Sequence, residues 1–367
     1  MHRSAQAWPL DEDVQSLGRL DRSIWLLIAA VACVVFLSPL ASGFQVGWRT
    51  FLAPAAVAAA FTLATFFYTR IRPDRRLASA LGGTAQLIAF AAVAAPLSYL
   101  AAALNFPLRD GLFDAADRAL GFDWAALLAW MNARPSLFAV LDLAYASFLP
   151  QAAVTVLCLS FRDQAQRLRT FMLAFVATTL ITIAISGVLP AHGVWMHQGL
   201  QAEAGSILPA SHTSWAAFGA LRDGTLRLLV ASGSEGIITF PSLHAALGVI
   251  FLLALWRVPF VRWAAVVVNG LMVAATPIDG SHYLVDVIAG VATALTCWYG
   301  AHAFARRRPR LGDSPFDAFA HRPRLDHDDF GSNRSKIMNV IDFHNLERDA
   351  GGKPLRTFPH PAPAAGE

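Results

Sequence analysis

Apolar runs of roughly 16 to 25 residues, the length a bilayer needs, alternate along this chain with short polar connections. They fall at about Ile24 to Leu40, Phe51 to Tyr68, Leu77 to Ala103, Leu137 to Leu159, Phe171 to Leu189, Ser242 to Trp256, Trp263 to Pro277 and His282 to Phe304. The pattern predicts an all-α, polytopic membrane helix bundle of about eight transmembrane helices. Several runs are rich in Ala and Gly, which suits close helix contacts rather than lipid-facing bulk.

The polar connections set the orientation. Arg70, Arg72, Arg75 and Arg76 follow the second run, Arg162, Arg167 and Arg169 the fourth, Arg257 and Arg262 the sixth, and Arg306 to Arg310 the last. Positive charge after each even-numbered run places both termini in the cytoplasm. The segment Phe106 to Pro135 and the loop Ala191 to Phe240 then lie outside. The first of these carries Arg109, Asp110, Asp114, Asp117, Arg118 and Asp123 between apolar residues, and predicts an interfacial helix over the outer face. The second holds His192, Trp195, His197, His212, Trp215 and Arg222, and its Leu221 to Val230 stretch reads as a further amphipathic piece. None of these acquires a catalytic role from the sequence alone, apart from the phosphate-binding part given below to Arg222. Trp195 and Trp215 read as interfacial anchors.

Composition narrows the class further. Of 367 residues, 56% are hydrophobic and 15% charged, too apolar for a soluble domain. The net charge of +4 comes largely from arginines in the connections, so it marks membrane topology and not a nucleic-acid partner. Cys33, Cys158 and Cys297 all lie in apolar runs without Cys-x-x-Cys spacing, so neither a disulfide framework nor a zinc site is indicated. Residues 1–23 lack the basic start and short apolar core of a cleaved signal peptide and read as a cytoplasmic N-terminus. Residues 24–170 read as N-terminal transmembrane helices with the outer interfacial segment, 171–304 as a catalytic core, and 305–367, rich in Pro, Asp, His, Arg and Gly, as a disordered cytoplasmic tail. The Ala- and Arg-rich composition points to a bacterial inner membrane.

Two stretches carry the chemistry: Phe240-Pro241-Ser242-Leu243-His244-Ala245-Ala246 and Gly280-Ser281-His282-Tyr283-Leu284-Val285-Asp286. Each opens an apolar run and puts ionisable groups where hydrocarbon penalises them, which calls for a functional reason. His282 and Asp286 are four apart and share one face of a helix, so the carboxylate can fix the imidazole's tautomer and make it a better nucleophile. The span count puts His244 and His282 at the same outer face, so His244 can serve as proton donor. These groups fit phosphoryl transfer through a phosphohistidine, with water or a lipid hydroxyl as the final acceptor.

At these residues the chain resembles the type 2 phosphatidic acid phosphatase superfamily, in particular the branch of the inositol phosphorylceramide synthases. That superfamily shows Lys-x6-Arg-Pro, Pro-Ser-Gly-His and Ser-Arg-x5-His-x3-Asp. Pro241-Ser242-Leu243-His244 matches the second with Leu for Gly, and His282-x3-Asp286 the core of the third. The resemblance covers about Leu180 to Gly290 and implies His244 as acid, His282 as nucleophile and Asp286 as its partner. No Lys precedes Lys336, so the first motif is absent, and Thr276 stands where the third places its Arg; the synthase branch lacks that basic pair. A dianionic phosphate still needs positive charge or aligned donors. Arg222 and the start of the Ser242 helix, with Ser242 itself, are the sequence's candidates for binding it.

The expectation is therefore a cofactor-free and metal-free lipid phosphotransferase on the periplasmic side, taking a membrane lipid phosphate and a lipid alcohol acceptor. A lipid phosphate phosphatase using water is the close alternative, and undecaprenyl diphosphate another possible donor. A transporter with a His/Asp proton relay is the alternative of another class. It would spread ionisable groups over several depths, whereas these cluster at one face. Metal ligation by His282 and Asp286 would need a third ligand, and His192, His197 and His212 have no convincing spacing for it.

Overall fold

The computed structural model describes residues 9–200, 207–231 and 237–306. They form α1 (Pro9–Leu37), α2 (Pro39–Ser42), β1 (Gln45–Val46), α3 (Trp48–Arg70), α4 (Arg75–Ala102), α5 (Asp110–Ala119), α6 (Trp124–Asn132) and α7 (Pro135–Ala146). They continue with α8 (Phe148–Phe161), α9 (Ala165–Val188), α10 (Val194–His197), α11 (His212–Asp223), β2 (Leu228–Leu229), α12 (Leu243–Leu255), α13 (Val261–Asp279) and α14 (Leu284–Arg306). The expected all-α membrane bundle is what forms. The tail expected over 305–367 lies outside the described residues from 307 onward.

Among the described residues six helices are long and apolar enough to cross a bilayer, or seven if α7 and α8 count as one span bent by 51°. The bend has a local cause. Pro150 in the first turn of α8 brings no N–H and clashes with the preceding turn, so the helix restarts at Phe148. Ser147 Oγ then donates to the Ala144 carbonyl at 2.5 Å and accepts from Gln151 Nε2 at 2.9 Å. The predicted span at Ser242 to Trp256 is instead the 13-residue α12, about 20 Å long against a hydrocarbon core of roughly 30 Å. The predicted eight spans thus become six or seven long ones and a short apolar helix.

Helix α9 is the centre of the bundle, with 61% of its apolar window buried, and packs on α1, α4, α8, α12 and α14. Helix α3, at 11%, packs chiefly on α4 and turns the rest of its surface outward. At the arginine-rich end, Arg169 Nε pairs with Asp21 at 2.7 Å, and the same carboxylate oxygen accepts from Gln86 at 3.0 Å, tying α1, α4 and α9 together. Nearby, Arg167 donates to the carbonyls of Ala254 at 2.6 Å and Leu253 at 2.5 Å, satisfying the last turn of α12. The amphipathic piece expected over Leu221 to Val230 does not form as such. Gly224, with φ 85°, ends α11, and Leu228–Leu229 pairs parallel with Gln45–Val46, because glycine takes the left-handed turn that closes a helix most readily.

Candidate active site

Helix α12 begins at Leu243 because Ser242 caps it, Oγ accepting from the Ala245 amide at 3.4 Å. The Ser242 amide donates to the Asp286 carbonyl at 3.0 Å, so the start of α12 is fastened to the first turn of α14. This single bond brings the two motifs together. Gly290, one turn further along α14, lets them close: a β-carbon there would collide with the Ser242 carbonyl. Ser242 is fully buried with its hydroxyl used in capping, so any help it gives to an anion comes through the helix end it shapes.

His282 and Asp286 form the expected pair. Nδ1 lies 3.3 Å from Asp286 Oδ2, both groups are buried, and the same oxygen accepts from the Tyr283 amide at 3.0 Å. Burial pushes the His282 imidazole down to about 4, although the Thr239 carbonyl facing the ring favours its protonated form. The ring is therefore neutral near pH 7, as a nucleophile must be. His244 stands within electrostatic range of His282. Tyr145 stacks on its ring with centroids 3.9 Å apart and Phe148 meets it edge-on at 5.3 Å. The α7–α8 bend delivers both aromatics, and sequence reading gave Tyr145 no assigned part here.

The segment 106–135 does more than cover the site. Along α5, Asp110, Asp114 and Asp117 point inward and are buried, at 4%, 1% and 0% exposure. Asp117 accepts from the amides of Leu284 at 2.7 Å and Val285 at 3.1 Å and from Trp124 Nε1 at 3.1 Å. It thereby satisfies the first turn of α14, directly beside the histidine–aspartate pair. Asp110 accepts from the amides of His192 and Gly193, both at 3.0 Å, and from the Tyr283 hydroxyl at 3.1 Å. Burial and Asp110 together push the Tyr283 hydroxyl up, so it stays a donor. Asp114 accepts from Gln198 at 2.7 Å and pairs with Arg118. The spacing 110, 114, 117 marks one helical face, and that periodicity was the available signal.

Loop 190–195 closes the other side. Val194 donates to the Ser281 carbonyl and Trp195 to Ser281 Oγ, both at 3.0 Å. Ser281 has φ 56°, a left-handed conformation held by these bonds. Arg222 bonds the Phe106 carbonyl at 2.9 Å and lies over Phe218, with Nη1 buried and without a hydrogen-bond partner. It stands within electrostatic range of Asp110 and His192. Asp279, at the end of α13, is fully buried, with the Ala210 amide facing its carboxyl group. It lies within electrostatic range of Tyr145 and Asp142. Among the described residues no group of three or more His, Cys, Asp or Glu side chains could hold a metal ion.

One expected outcome follows from the close seat of α12 on α14. Replacing a helical glycine by alanine normally gains about 1 kcal/mol, but overpacking costs about 1–3 kcal/mol, and at Gly290 the obstacle is backbone. Gly290→Ala should therefore lower the unfolding temperature and reduce activity by displacing the Ser242 turn. A variant as stable and active as the parent would contradict the close contact.

Comparison with known proteins agrees with this geometry. Residues 113–300 match the PAP2 superfamily, a stretch that contains α6 to α13, most of α5 and α14, and both histidine motifs. A 60-residue stretch is 57% identical to a protein-glutamate methylesterase/protein-glutamine glutaminase of Nitrobacter winogradskyi, covering 16% of this chain and 12% of that protein. So small a share of that protein's length carries nothing of its activity to this chain. No solved structure matches. With just over half of its length matched, and with both motifs joined at one end of an apolar helix bundle, the chain belongs to the PAP2 superfamily.

Proposed function

We propose that the protein is an integral membrane lipid phosphotransferase, similar to inositol phosphorylceramide synthases, that works through a phosphohistidine at the outer, periplasmic face. The observation that carries this reading is the buried His282–Asp286 pair, 3.3 Å apart, with the first turn of α12 and His244 beside it. Asp286 accepts the Nδ1 proton and leaves Nε2 to attack phosphorus in line. Burial holds His244 neutral in the empty site; it takes up a proton as the anionic substrate binds and delivers that proton to the leaving oxygen as its bond to phosphorus breaks. In the second half an acceptor hydroxyl attacks the phosphohistidine, His244 takes its proton, and neutral His282 is regenerated. The start of α12 offers its dipole and amides to the phosphate oxygens, with Arg222 supplying positive charge from the outer layer.

Asp279 favours an alcohol over water as acceptor. A buried carboxylate with few hydrogen bonds is costly, and one within electrostatic range of Tyr145 is suited to receiving substrate hydroxyls. With water as acceptor the same groups make a lipid phosphate phosphatase.

The test supplies purified protein with a labelled phospholipid, with and without an added lipid alcohol. Label transferred to the alcohol supports the synthase reading, and free phosphate alone makes the enzyme a phosphatase. His244→Ala should slow the first step by about 10²- to 10⁴-fold, with less loss for a donor whose leaving group is a good one. Equal losses for good and poor leaving groups would remove His244 from the acid role.

A further inference from the structure

At the end of the bundle opposite the histidines lies a polar cavity of about 430 Å³ that the proposed reaction does not use. It opens between the first turn of α9, the turn after α12 and the last turn of α14, and Arg167, Arg257, Arg306 and His302 line it with Gln164 and Thr170. Arg167 is half-buried and held by the Leu253 and Ala254 carbonyls, while Arg257 and Arg306 are exposed. His302 Nδ1 is engaged with the Trp298 carbonyl at 3.0 Å, leaving Nε2. His302 lies within electrostatic range of all three arginines, and Arg167 within range of Arg257.

Like charges so gathered repel unless an anion joins them. Among the described residues no carboxylate does so: the ion pairs there are Arg118–Asp114, Arg169–Asp21 and His282–Asp286. The positive end of the 24-residue α9 adds to the same field, since Gln164 immediately precedes that helix and Arg167 belongs to its first turn. The sequence continues the charge with Arg307, Arg308 and Arg310. Three guanidiniums around a cavity of this size match the oxygens of a phosphate group better than a single carboxylate.

We propose that this cavity binds a phosphate-bearing anion, most simply the headgroup of an anionic phospholipid from the leaflet opposite the histidines. The site is independent of the proposed reaction, because its residues lie at the other ends of α12 and α14.

The intact protein is purified in detergent and titrated with phosphatidylglycerol or phosphatidylcholine, with bound lipid counted by native mass spectrometry. Phosphatidylglycerol should bind more tightly, and Arg257→Gln with Arg306→Gln should weaken it by about fivefold per guanidinium removed, leaving phosphatidylcholine binding and thermal unfolding unchanged. Those two arginines make no described hydrogen bond or ion pair, so their loss should not unfold the chain. His282→Ala should retain the phosphatidylglycerol, which separates this site from the catalytic one. Competition by millimolar inorganic phosphate would support the site with a soluble phosphate as its source. Equal binding of both lipids, or undiminished phosphatidylglycerol binding in the double variant, would overturn the proposal.

Discussion

His282→Ala is expected to abolish phosphoryl transfer while leaving a folded, membrane-inserted protein. The imidazole is the atom-for-atom nucleophile of the proposed reaction, and nothing beside it replaces that role: His244 is turned into the Tyr145 and Phe148 rings. Losing a covalent nucleophile costs about 10⁴-fold or more, with only binding and electrostatic stabilisation left. Removing the side chain also frees Asp286, whose Oδ2 keeps the Tyr283 amide at 3.0 Å, so the local backbone has reason to stay in place. The decisive measurement is an acid-labile, base-stable phosphoenzyme, trapped by rapid quench with labelled lipid. It should be present in the parent and in slowed His244→Ala, and missing in His282→Ala. A phosphoenzyme of unchanged amount in His282→Ala would move the nucleophile elsewhere, and turnover at the parental rate would end the covalent mechanism.

The second large effect is expected at Asp117, a residue that touches no substrate in the proposed reaction. Asp117→Ala strands three donors at once, the Leu284 and Val285 amides and Trp124 Nε1, in a site with 0% exposure. Each buried unsatisfied group costs about 1–3 kcal/mol, and the cavity adds to it. The first turn of α14 should loosen and the His282–Asp286 geometry with it. The expected result is a clear drop in unfolding temperature and a fall in kcat greater than any rise in KM. Asp117→Asn separates charge from shape, since it keeps the volume and one acceptor oxygen but turns an amide group toward donors. It should recover part of the stability and less of kcat. Full activity in both variants would reduce α5 to a passive cover.

In the proposed reaction helix α12 does not need to span the membrane: its first turn meets the phosphate, and its last turn is tied to Arg167. Thirteen residues achieve both, and the arginine replaces the carbonyl partners that a longer helix would have supplied. Read only by hydropathy, its Leu-rich run is indistinguishable from a span, because hydropathy counts apolar residues and not the polar groups that end a helix.

Much of this protein was legible in one dimension. Apolar length determined the helical membrane fold, since backbone polar groups in hydrocarbon must be satisfied within the helix. The four-residue spacing of His282 and Asp286 suggested their pairing on a shared helical face, but His282 precedes α14, and the pair forms because Asp286 turns back from the first turn onto the Tyr283 amide and the His282 ring. The aspartates of α5 were visible as an acidic stripe, but not their role. An inward stripe that reads backbone amides and an outward one that meets water have the same sequence period. Likewise Tyr145 against His244, Asp279 near Tyr145 and the arginine cavity all join residues far apart along the chain. Only the tertiary structure decided these, since which face of a helix meets which neighbour depends on packing summed over the whole bundle, while periodicity fixes no more than which residues share that face.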